Sequence, residues 1–346
     1  MTPRRERADA PGAPLTASGV VGALALALLV AATANLLVGP VVIAPGEVLG
    51  AIARSVGLPL GTEPGAQAEA VILTIRLPRI LVGAVAGAAA GISGAALQGL
   101  FRNPVADPHL LGIGPGASLG AALGSLSGTV AGAAAGGAVG GMLTALVVRR
   151  LGRRRGEASR FVLSGVALGA ALSAWVGFVV FVADRTRVPP IDFWLLGSLA
   201  GANWEALGTL TMSAGIGVVG LLAAGRPLDL LSLGEADARR LGMEVELATF
   251  AILLAVGAVI GAAVGIAGVV VFVGLVAPHL VRRLAGAGHR TLLPGSALAG
   301  AVMMLLADLA ARTVVAPQEI PVGLVTAAIG GPFFLWMIRH PAESRR

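Results

Sequence analysis

Very few side chains in the apolar part of this sequence could do chemistry. His109 and His279 each follow a proline, and a histidine can bind a metal or relay protons. Asp308 is the carboxylate that lies most plainly within an apolar stretch, which makes it a functional candidate. The chain has no cysteine, so thiolate metal sites and cysteine nucleophiles are excluded. So sparse a set predicts no catalytic centre, no bound metal and no cofactor.

The composition indicates that these residues lie in a membrane protein. Hydrophobic residues make up 56% of the 346 residues, charged residues only 12%, and the mean hydropathy is +0.88. A membrane span needs about 20 mostly apolar residues. Ten stretches qualify, at 18–39, 79–99, 109–126, 128–149, 160–182, 204–224, 247–266, 268–285, 292–314 and 320–338. We predict an all-α polytopic membrane protein with one transmembrane domain, 18–338, between cytoplasmic tails 1–17 and 339–346.

The basic residues predict the orientation. The net charge is +7, and every basic residue is arginine. With a cytoplasmic N-terminus, most of the arginines fall on the cytoplasmic side, as the positive-inside rule requires. The exceptions are Arg54, Arg76, Arg79, Arg185, Arg187 and Arg312. This distribution explains the basic balance by topology in a bacterial cytoplasmic membrane and argues against nucleic-acid binding.

The first apolar stretch has two interpretations. Three arginines precede it and Ala32-Thr33-Ala34 interrupts it, which is also typical of a cleaved secretory signal. The apolar run continues to Val42, beyond the length of a signal core. We therefore predict an uncleaved first span.

A repeat links the two halves of the chain. GAVAGAAAGISG at 83–94 matches GAVIGAAVGIAG at 257–268 in nine of twelve positions. Pro108-His109-Leu110 is likewise echoed by Pro278-His279-Leu280. The copies begin in the second and seventh apolar stretches, and an offset of five inverts one copy in the membrane. Inverted repeats are typical of transporters. An ion-coupled secondary transporter is one class that would share them, although it should show more buried ionisable groups.

Long motifs give the sequence a family resemblance. These are RLPRILVGAVAGAAAGISGAALQGLFRNPVADPHLLGI from Arg76, LDLLSLGEADARRLGM at 228–243, VVVFVGLVAPHLVRRLAG at 269–286, and the run from His289 to Arg339. They resemble the FecCD-type permeases, the membrane subunits of ABC importers for iron–siderophores, haem and cobalamin. The resemblance implies the type II importer fold with ten helices and a homodimer or a pair with a paralogous permease. It also implies two cytoplasmic ATPase subunits and an extracytoplasmic substrate-binding protein as partners.

The polar insert 228–243 interleaves leucines with charges. Ser232 is an N-cap candidate and Glu235 would complete a capping box, so two short helices broken at Gly234 are predicted. From the residues alone, an ordinary solvated loop is an equal alternative. The resemblance implies that this segment docks into an ATPase. The expected coupling residues are Leu231, Ser232, Leu233, Gly234, Glu235, Ala238, Arg239, Arg240, Leu241 and Gly242.

Arginines at the outer side are expected to contact the binding protein. Arg76 and Arg79 lie at the mouth of the second apolar stretch, and Arg312 lies near the outer end of the ninth. The resemblance implies that the three pair with glutamates of the binding protein. The alternative for Arg312 is an i, i+4 ion pair with Asp308, and both can hold.

The translocation path is expected to lie along the second, fifth, eighth and tenth spans, by the resemblance. Asn103-Pro104 and Asp107-Pro108 predict a cytoplasmic turn near the inner gate. The expected gate and path residues are Ser93, Gln98, Asn103, Pro104, Asp107, Pro108, His109, Ser164, Ser173, Pro278 and His279. The histidines are expected to serve as helix-end caps or gate packing, since the family keeps its iron inside a chelate.

The chain itself is not expected to hydrolyse ATP. It contains no lysine and therefore no GxxxxGK[ST] motif, so ATP and Mg²⁺ are expected on the partner ATPase. The resemblance favours a ferric siderophore as cargo, with haem and cobalamin as alternatives.

Overall fold

The computed structural model describes residues 16–58, 60–152, 158–183 and 188–339, which excludes nearly all of both predicted tails. Regular structure in these ranges is entirely helical, so the predicted all-α class is confirmed. The helices are α1 Ala17–Leu37, α2 Pro45–Ser55, α3 Ala66–Ala70, a π-helical segment Val71–Arg76, α4 Leu77–Phe101, α5 Ile113–Ser125, α6 Val130–Gly152, α7 Ala158–Val182, α8 Ile191–Leu196, α9 Trp204–Ala223, α10 Gly225–Ser232, α11 Glu235–Arg240, α12 Val245–Ala267, α13 Val273–Ala285, α14 His289–Thr313 and α15 Val322–Arg339.

Seven helices in the described ranges are long and apolar enough to cross a membrane. They are Ala17–Leu37, Ala66–Phe101, Val130–Leu151, Ser164–Val182, Trp204–Ala223, Val245–Ala267 and His289–Thr313, and Val322–Met337 is a shorter apolar helix. The third and eighth predicted spans are instead the 13-residue helices α5 and α13. Each is about 20 Å long, less than the apolar thickness of a bilayer. Ten full-length spans are therefore not confirmed.

The second span is longer than predicted, because α3, the π-helical segment and α4 form one continuous helix. Pro78 has no N–H to donate to the preceding turn, and a wider π turn accommodates such a position. The carbonyl of Leu73 accepts a hydrogen bond from the indole N–H of Trp204 at 2.9 Å instead. The extension positions Arg76 and Arg79 beside the end of α14.

Small residues bring α4 and α14 into backbone contact. A Cβ on Gly91 would lie 2.0 Å from the carbonyl oxygen of Ser296, and one on Gly87 would lie 2.4 Å from that of Gly300. In a membrane, helices associate by such close packing, since lipid supplies little hydrophobic driving force between them. The Gly/Ala stripe of the first repeat copy therefore forms the contact between α4 and α14.

The two Pro-His pairs of the predicted repeat lie in different surroundings. Pro108-His109 precedes α5, whereas Pro278 is an interior residue of α13. The short helices α5 and α13 do follow the two copies of the Gly/Ala motif in the same order. The inverted repeat itself stays a prediction.

Candidate functional sites at the two ends of the bundle

The insert at 228–243 has the predicted break between two short helices. Leu233 and Gly234 separate α10 from α11, and Gly234 has a φ of +115°, a conformation that favours glycine. The predicted capping box is wrong. Ser232 is the last residue of α10, and its hydroxyl donates to the carbonyl of Asp229 at 2.6 Å. Gly234 is the N-cap of α11, and it offers no side chain.

One face of these two helices is embedded and the other is exposed. Leu228, Leu231 and Ala238 are buried in the main apolar core. Leu233 and Leu241 lie on the opposite face and are 61% and 62% exposed. An apolar pair surrounded by charged side chains is typical of a surface that contacts another protein.

The arginines of this surface make exposed ion pairs. Arg239 lies 2.7 Å from Glu246 and 3.4 Å from Glu235, and Arg240 lies 3.2 Å from Asp237. Solvent-exposed pairs of this kind contribute about 0.2–1 kcal/mol. Both guanidinium groups can therefore exchange their present partners for those of a docking protein at small energetic cost.

Asp229 of α10 is hydrogen-bonded to the first residue of α14. Oδ1 of Asp229 lies 2.9 Å from the backbone nitrogen and 2.7 Å from Nδ1 of His289. Neither Asp229 nor His289 is among the site residues predicted from the sequence. Gly286, which ends α13, and Gly288, the N-cap of α14, were the available signal for a helix boundary beside His289.

A cluster of ion pairs joins α4, α14 and the loop after α14 at the other end of the bundle. Nη2 and Nε of Arg79 lie 2.8 and 3.1 Å from Oδ1 of Asp308, and Nη1 lies 2.9 Å from Glu319. Arg312 lies 3.1 Å from Asp308, so the expected i, i+4 pair is present. The bidentate contact of Arg79 with Asp308 is of the kind that forms strong, oriented hydrogen bonds.

The end of α1 completes this cluster, called the outer cluster here because the sequence predicts it on the outer side. Arg312 donates to Oδ1 of Asn35 at 2.6 Å, and Asn35 in turn donates to the carbonyl of Leu305 at 3.0 Å. The guanidinium of Arg76 donates to the carbonyls of Leu36 and Val41. Backbone groups at the last turn of a helix lack intrahelical partners, so an arginine there is favoured.

The outer arginines are therefore not exposed, contrary to the expectation from the sequence. Arg76, Arg79 and Arg312 are 3%, 8% and 4% exposed. Their partners come from four separate segments of the chain, and the sequence analysis considered only Asp308. A docking role for these three residues stays a prediction.

The side chains of Asn103 and Asp107 organise the turn between α4 and α5. Oδ1 of Asn103 accepts from the N–H of Val105 at 3.0 Å, and Oδ1 of Asp107 accepts from the N–H of His109 at 2.8 Å. These are local turns of the kind that Asn and Asp favour. A Cβ on Gly274 would lie 2.9 Å from the second oxygen of Asp107, so the carboxylate packs against the start of α13.

Gln98 connects α4 to α13 beside this turn. Its side-chain nitrogen is 3.4 Å from the carbonyls of Gly274 and Leu275, and its oxygen accepts from Arg282 at 3.0 Å. Ser93, one turn earlier, is fully buried. Neither side chain faces an open path in this arrangement, although both were expected to line one.

The remaining path residues are distributed over three elements. His109 is enclosed, and a Cβ on Gly114 would lie 2.0 Å from its Nδ1. Pro278 is buried within α13, while the ring of His279 lies edge-on to Phe333 of α15. Ser164 and Ser173 are half-buried residues of α7, which packs against α5. Among the described residues, no three His, Asp or Glu side chains are grouped so that they could hold a metal ion.

The described residues thus form an all-helical bundle with apolar helices long enough to cross a membrane and an exposed apolar and charged surface on α10 and α11. The model of the FecCD transport family matches residues 26–340. The hemin transport system permease protein HmuU of Yersinia pestis is 42% identical over 79% of this chain and 84% of its own length. The vitamin B12 import system permease protein BtuC of Salmonella typhi is 37% identical over 92% of this chain and 94% of its own.

A solved structure has the same fold. It is described as an inward-facing conformation of a metal-chelate type ABC transporter, with a TM-score of 0.77 and 32% identity over 92% of this chain and 98% of its own. The chain belongs to the FecCD transport family. It is an integral membrane protein and the non-catalytic permease subunit of an ABC importer, a class that works with ATPase and binding-protein partners.

Proposed function

We propose that this permease imports a metal tetrapyrrole, with haem as the first candidate, across a bacterial cytoplasmic membrane. The observation that carries the cargo class is the similarity over most of the chain to permeases whose names specify hemin and vitamin B12. The family resemblance alone favours a ferric siderophore. That cargo is retained as the second candidate, because the similar solved structure is described as a metal-chelate type transporter.

The proposed ATPase contact is the exposed face of α10 and α11. Buried Leu228, Leu231 and Ala238 hold this face rigidly on the bundle, while Leu233 and Leu241 project from it. A rigid apolar knob with exchangeable charges at its rim suits insertion into a cleft of a soluble partner. ATP hydrolysis by two such partners would then drive alternating access in the permease.

The proposed contact for the binding protein is the outer cluster, at the opposite end of α4 and α14. Glu319 is its most accessible ionic member, with 36% of the side chain exposed. A carboxylate of the binding protein would have to replace Glu319 at Arg79 to reach that guanidinium. Charged groups at the rim of an interface chiefly steer and orient association.

The remaining features of the proposal concern assembly and topology. We place both termini in the cytoplasm, with α10, α11 and the turn at 102–112 on that side. The translocation path would run between this permease and a second copy or a paralogue, with the turn and α13 at its inner gate. The abundance of arginine in the cytoplasmic segments supports this orientation.

Uptake by a deletion strain tests the proposed function. Cells lacking this chain would be supplied with radiolabelled haemin, cyanocobalamin or a ferric siderophore and complemented with wild type or with Arg239→Glu/Arg240→Glu. We expect haemin uptake to be restored by wild type and lost in the double variant. Restoration of siderophore uptake alone would favour the second candidate, and unchanged uptake of all three would refute the proposed cargo classes.

The matched control is Glu63→Gln. Glu63 is an exposed carboxylate that pairs with Arg54 at 3.0 Å, away from the α10 and α11 surface. It should support wild-type uptake. Loss of uptake in this control would mean that any change of surface charge is harmful, and the double variant would then say nothing specific about docking.

A further inference from the structure

The contact between Asp229 and His289 joins α10 to the start of α14. His289 is the first residue of α14, and Asp229 lies within α10. One oxygen of Asp229 accepts from the backbone N–H at 2.9 Å and from Nδ1 at 2.7 Å. An ionised carboxylate only accepts, so Nδ1 carries the hydrogen. Two hydrogen bonds therefore fasten α10 to the first turn of α14.

The surroundings of this contact leave little freedom for the imidazole. The His289 side chain is 7% exposed, and a Cβ on Gly99 would lie 2.3 Å from its Nε2. A Cβ on Gly225 would lie 3.4 Å from the Cα of Arg290, so the start of α10 also lies against α14. The carboxylate is also favourably placed at the positive end of a long helix. Three helices, α4, α10 and α14, thus meet at His289.

The helices fastened here extend to the opposite end of the bundle. Gly87 and Gly91 bring α4 into backbone contact with α14. The ion pair between Arg79 and Asp308 then joins the same two helices at the outer end. Each helix has 25 residues, about 37 Å along its axis. The pair is therefore held at its middle and at both ends.

We propose that Asp229 and His289 are positioning residues that fasten α10 and α11 to the α4–α14 pair and so couple ATP hydrolysis to transport. The inference rests on the proposed function, because it requires that α10 and α11 dock an ATPase. The contact between Asp229 and His289 serves as a joint. A displacement of the docked helices α10 and α11 reaches α4 and α14 only if this joint is stiff. Without it, the ATPase binds and hydrolyses ATP, but less of the movement reaches the turn at 102–112.

The test uses the full complex, reconstituted in proteoliposomes with its ATPase and binding protein. Haemin, cyanocobalamin and ferrichrome are the transport probes, and the one that wild type carries is used throughout. In Asp229→Ala and His289→Leu we expect transport per ATP hydrolysed to fall at least fivefold, with ATP hydrolysis within twofold of wild type. His289→Asn keeps an N–H near the position of Nδ1 and should recover at least half of the ratio. Glu63→Gln should leave the ratio unchanged.

A second readout does not depend on the cargo. The chain has no cysteine, so Ala236→Cys and Arg290→Cys introduce one pair of exposed spin-label sites in each labelled copy, one on α11 and one on α14. A stiff joint predicts a narrow distance distribution between the labels in the otherwise wild-type chain. His289→Leu should broaden it, and His289→Asn should restore it.

The outcomes separate this inference from the proposed function. Assembly with the ATPase would be measured by size-exclusion chromatography for every variant and for Arg239→Glu/Arg240→Glu. If the double variant still assembles as wild type does, the docking surface is misplaced and the inference about Asp229 and His289 falls with it, whereas the proposed cargo is decided separately by the uptake measurement. If docking is lost there but Asp229→Ala keeps both the wild-type transport ratio and a narrow distance distribution, only the joint is refuted.

Discussion

Arginines are held in opposite ways at the two ends of this molecule. At one end of the bundle the Arg79 side chain is 9% exposed and contacts two carboxylates, one of them buried. At the other end the Arg239 side chain is 50% exposed and contacts Glu235 and Glu246, which are also exposed. Both regions looked alike in the sequence, as arginines flanking apolar stretches. Burial distinguishes a fixed ion pair from an exchangeable one.

The energetic reason lies in desolvation. A buried charge that loses its partner cannot regain its hydration, so breaking a buried pair costs several kcal/mol. An exposed charge that loses its partner is simply hydrated, and the cost is close to zero. The outer cluster is therefore built to hold helices together, and the inner surface is built to change partners. Four substitutions test this contrast.

Asp308→Ala should have the largest effect on stability. It leaves Arg79 and Arg312 without their buried carboxylate, and we expect the free energy of unfolding to fall by about 3–5 kcal/mol. Unfolding by titration with sodium dodecyl sulfate would measure the change. Glu63→Ala removes an exposed carboxylate and should cost under about 1 kcal/mol. Equal losses for the two variants would contradict the distinction drawn from burial.

Asn35→Ala should have the next largest effect. It removes the acceptor of the 2.6 Å hydrogen bond from Arg312 and the link from α1 to the carbonyl of Leu305. Hydrogen bonds to charged groups contribute about 1.5–3 kcal/mol, and we expect a loss in that range. Thr211→Ala, at an exposed hydroxyl that bonds only to its own helix, is the control in the same unfolding measurement. If Asn35→Ala lowers the free energy of unfolding no more than Thr211→Ala does, α1 does not contribute to the stability of the outer cluster.

Gly91→Ala tests whether the outer cluster depends on the helix contact beneath it. The added Cβ would meet the carbonyl of Ser296, and overpacking of this kind costs about 1–3 kcal/mol. Gly208→Ala is the same substitution at a helical glycine where the added Cβ would meet no neighbouring atom within 4 Å, and it should not destabilise the protein. Thermal aggregation of the two variants in detergent would compare them. Identical midpoints would show that α4 and α14 can separate freely.

Arg239→Ala should have the smallest effect on stability and a large one on assembly. Its ion pairs are exposed, so the free energy of unfolding should change by under about 1 kcal/mol. Affinity for the ATPase should nevertheless fall, since the guanidinium belongs to the proposed docking surface. Unfolding titration and surface plasmon resonance would measure the two quantities. A large loss of stability with unchanged affinity would reverse the contrast between the two ends.

Much of the fold and part of the sites could be predicted from the sequence. The apolar stretches and the small-residue motif give the helices, because length and hydropathy decide what can lie in a bilayer. The break at Gly234 followed from local chain chemistry. The short helix α13 could not be distinguished from a full span, because hydropathy does not mark where the left-handed residue Phe272 starts a new helix.

Four features could be predicted from the sequence alone, namely the membrane class, the family resemblance, the absence of cysteine chemistry and the position of the polar insert at 228–243. Each of these depends on residue type and near neighbours. The burial of the three arginines and the contact between Asp229 and His289 follow instead from three-dimensional packing. Arg79 and its partner Asp308 are 229 positions apart in the sequence, and Asp229 and His289 are 60 positions apart. Contacts between residues so far apart in the sequence are determined by helix packing, and local sequence patterns do not predict them.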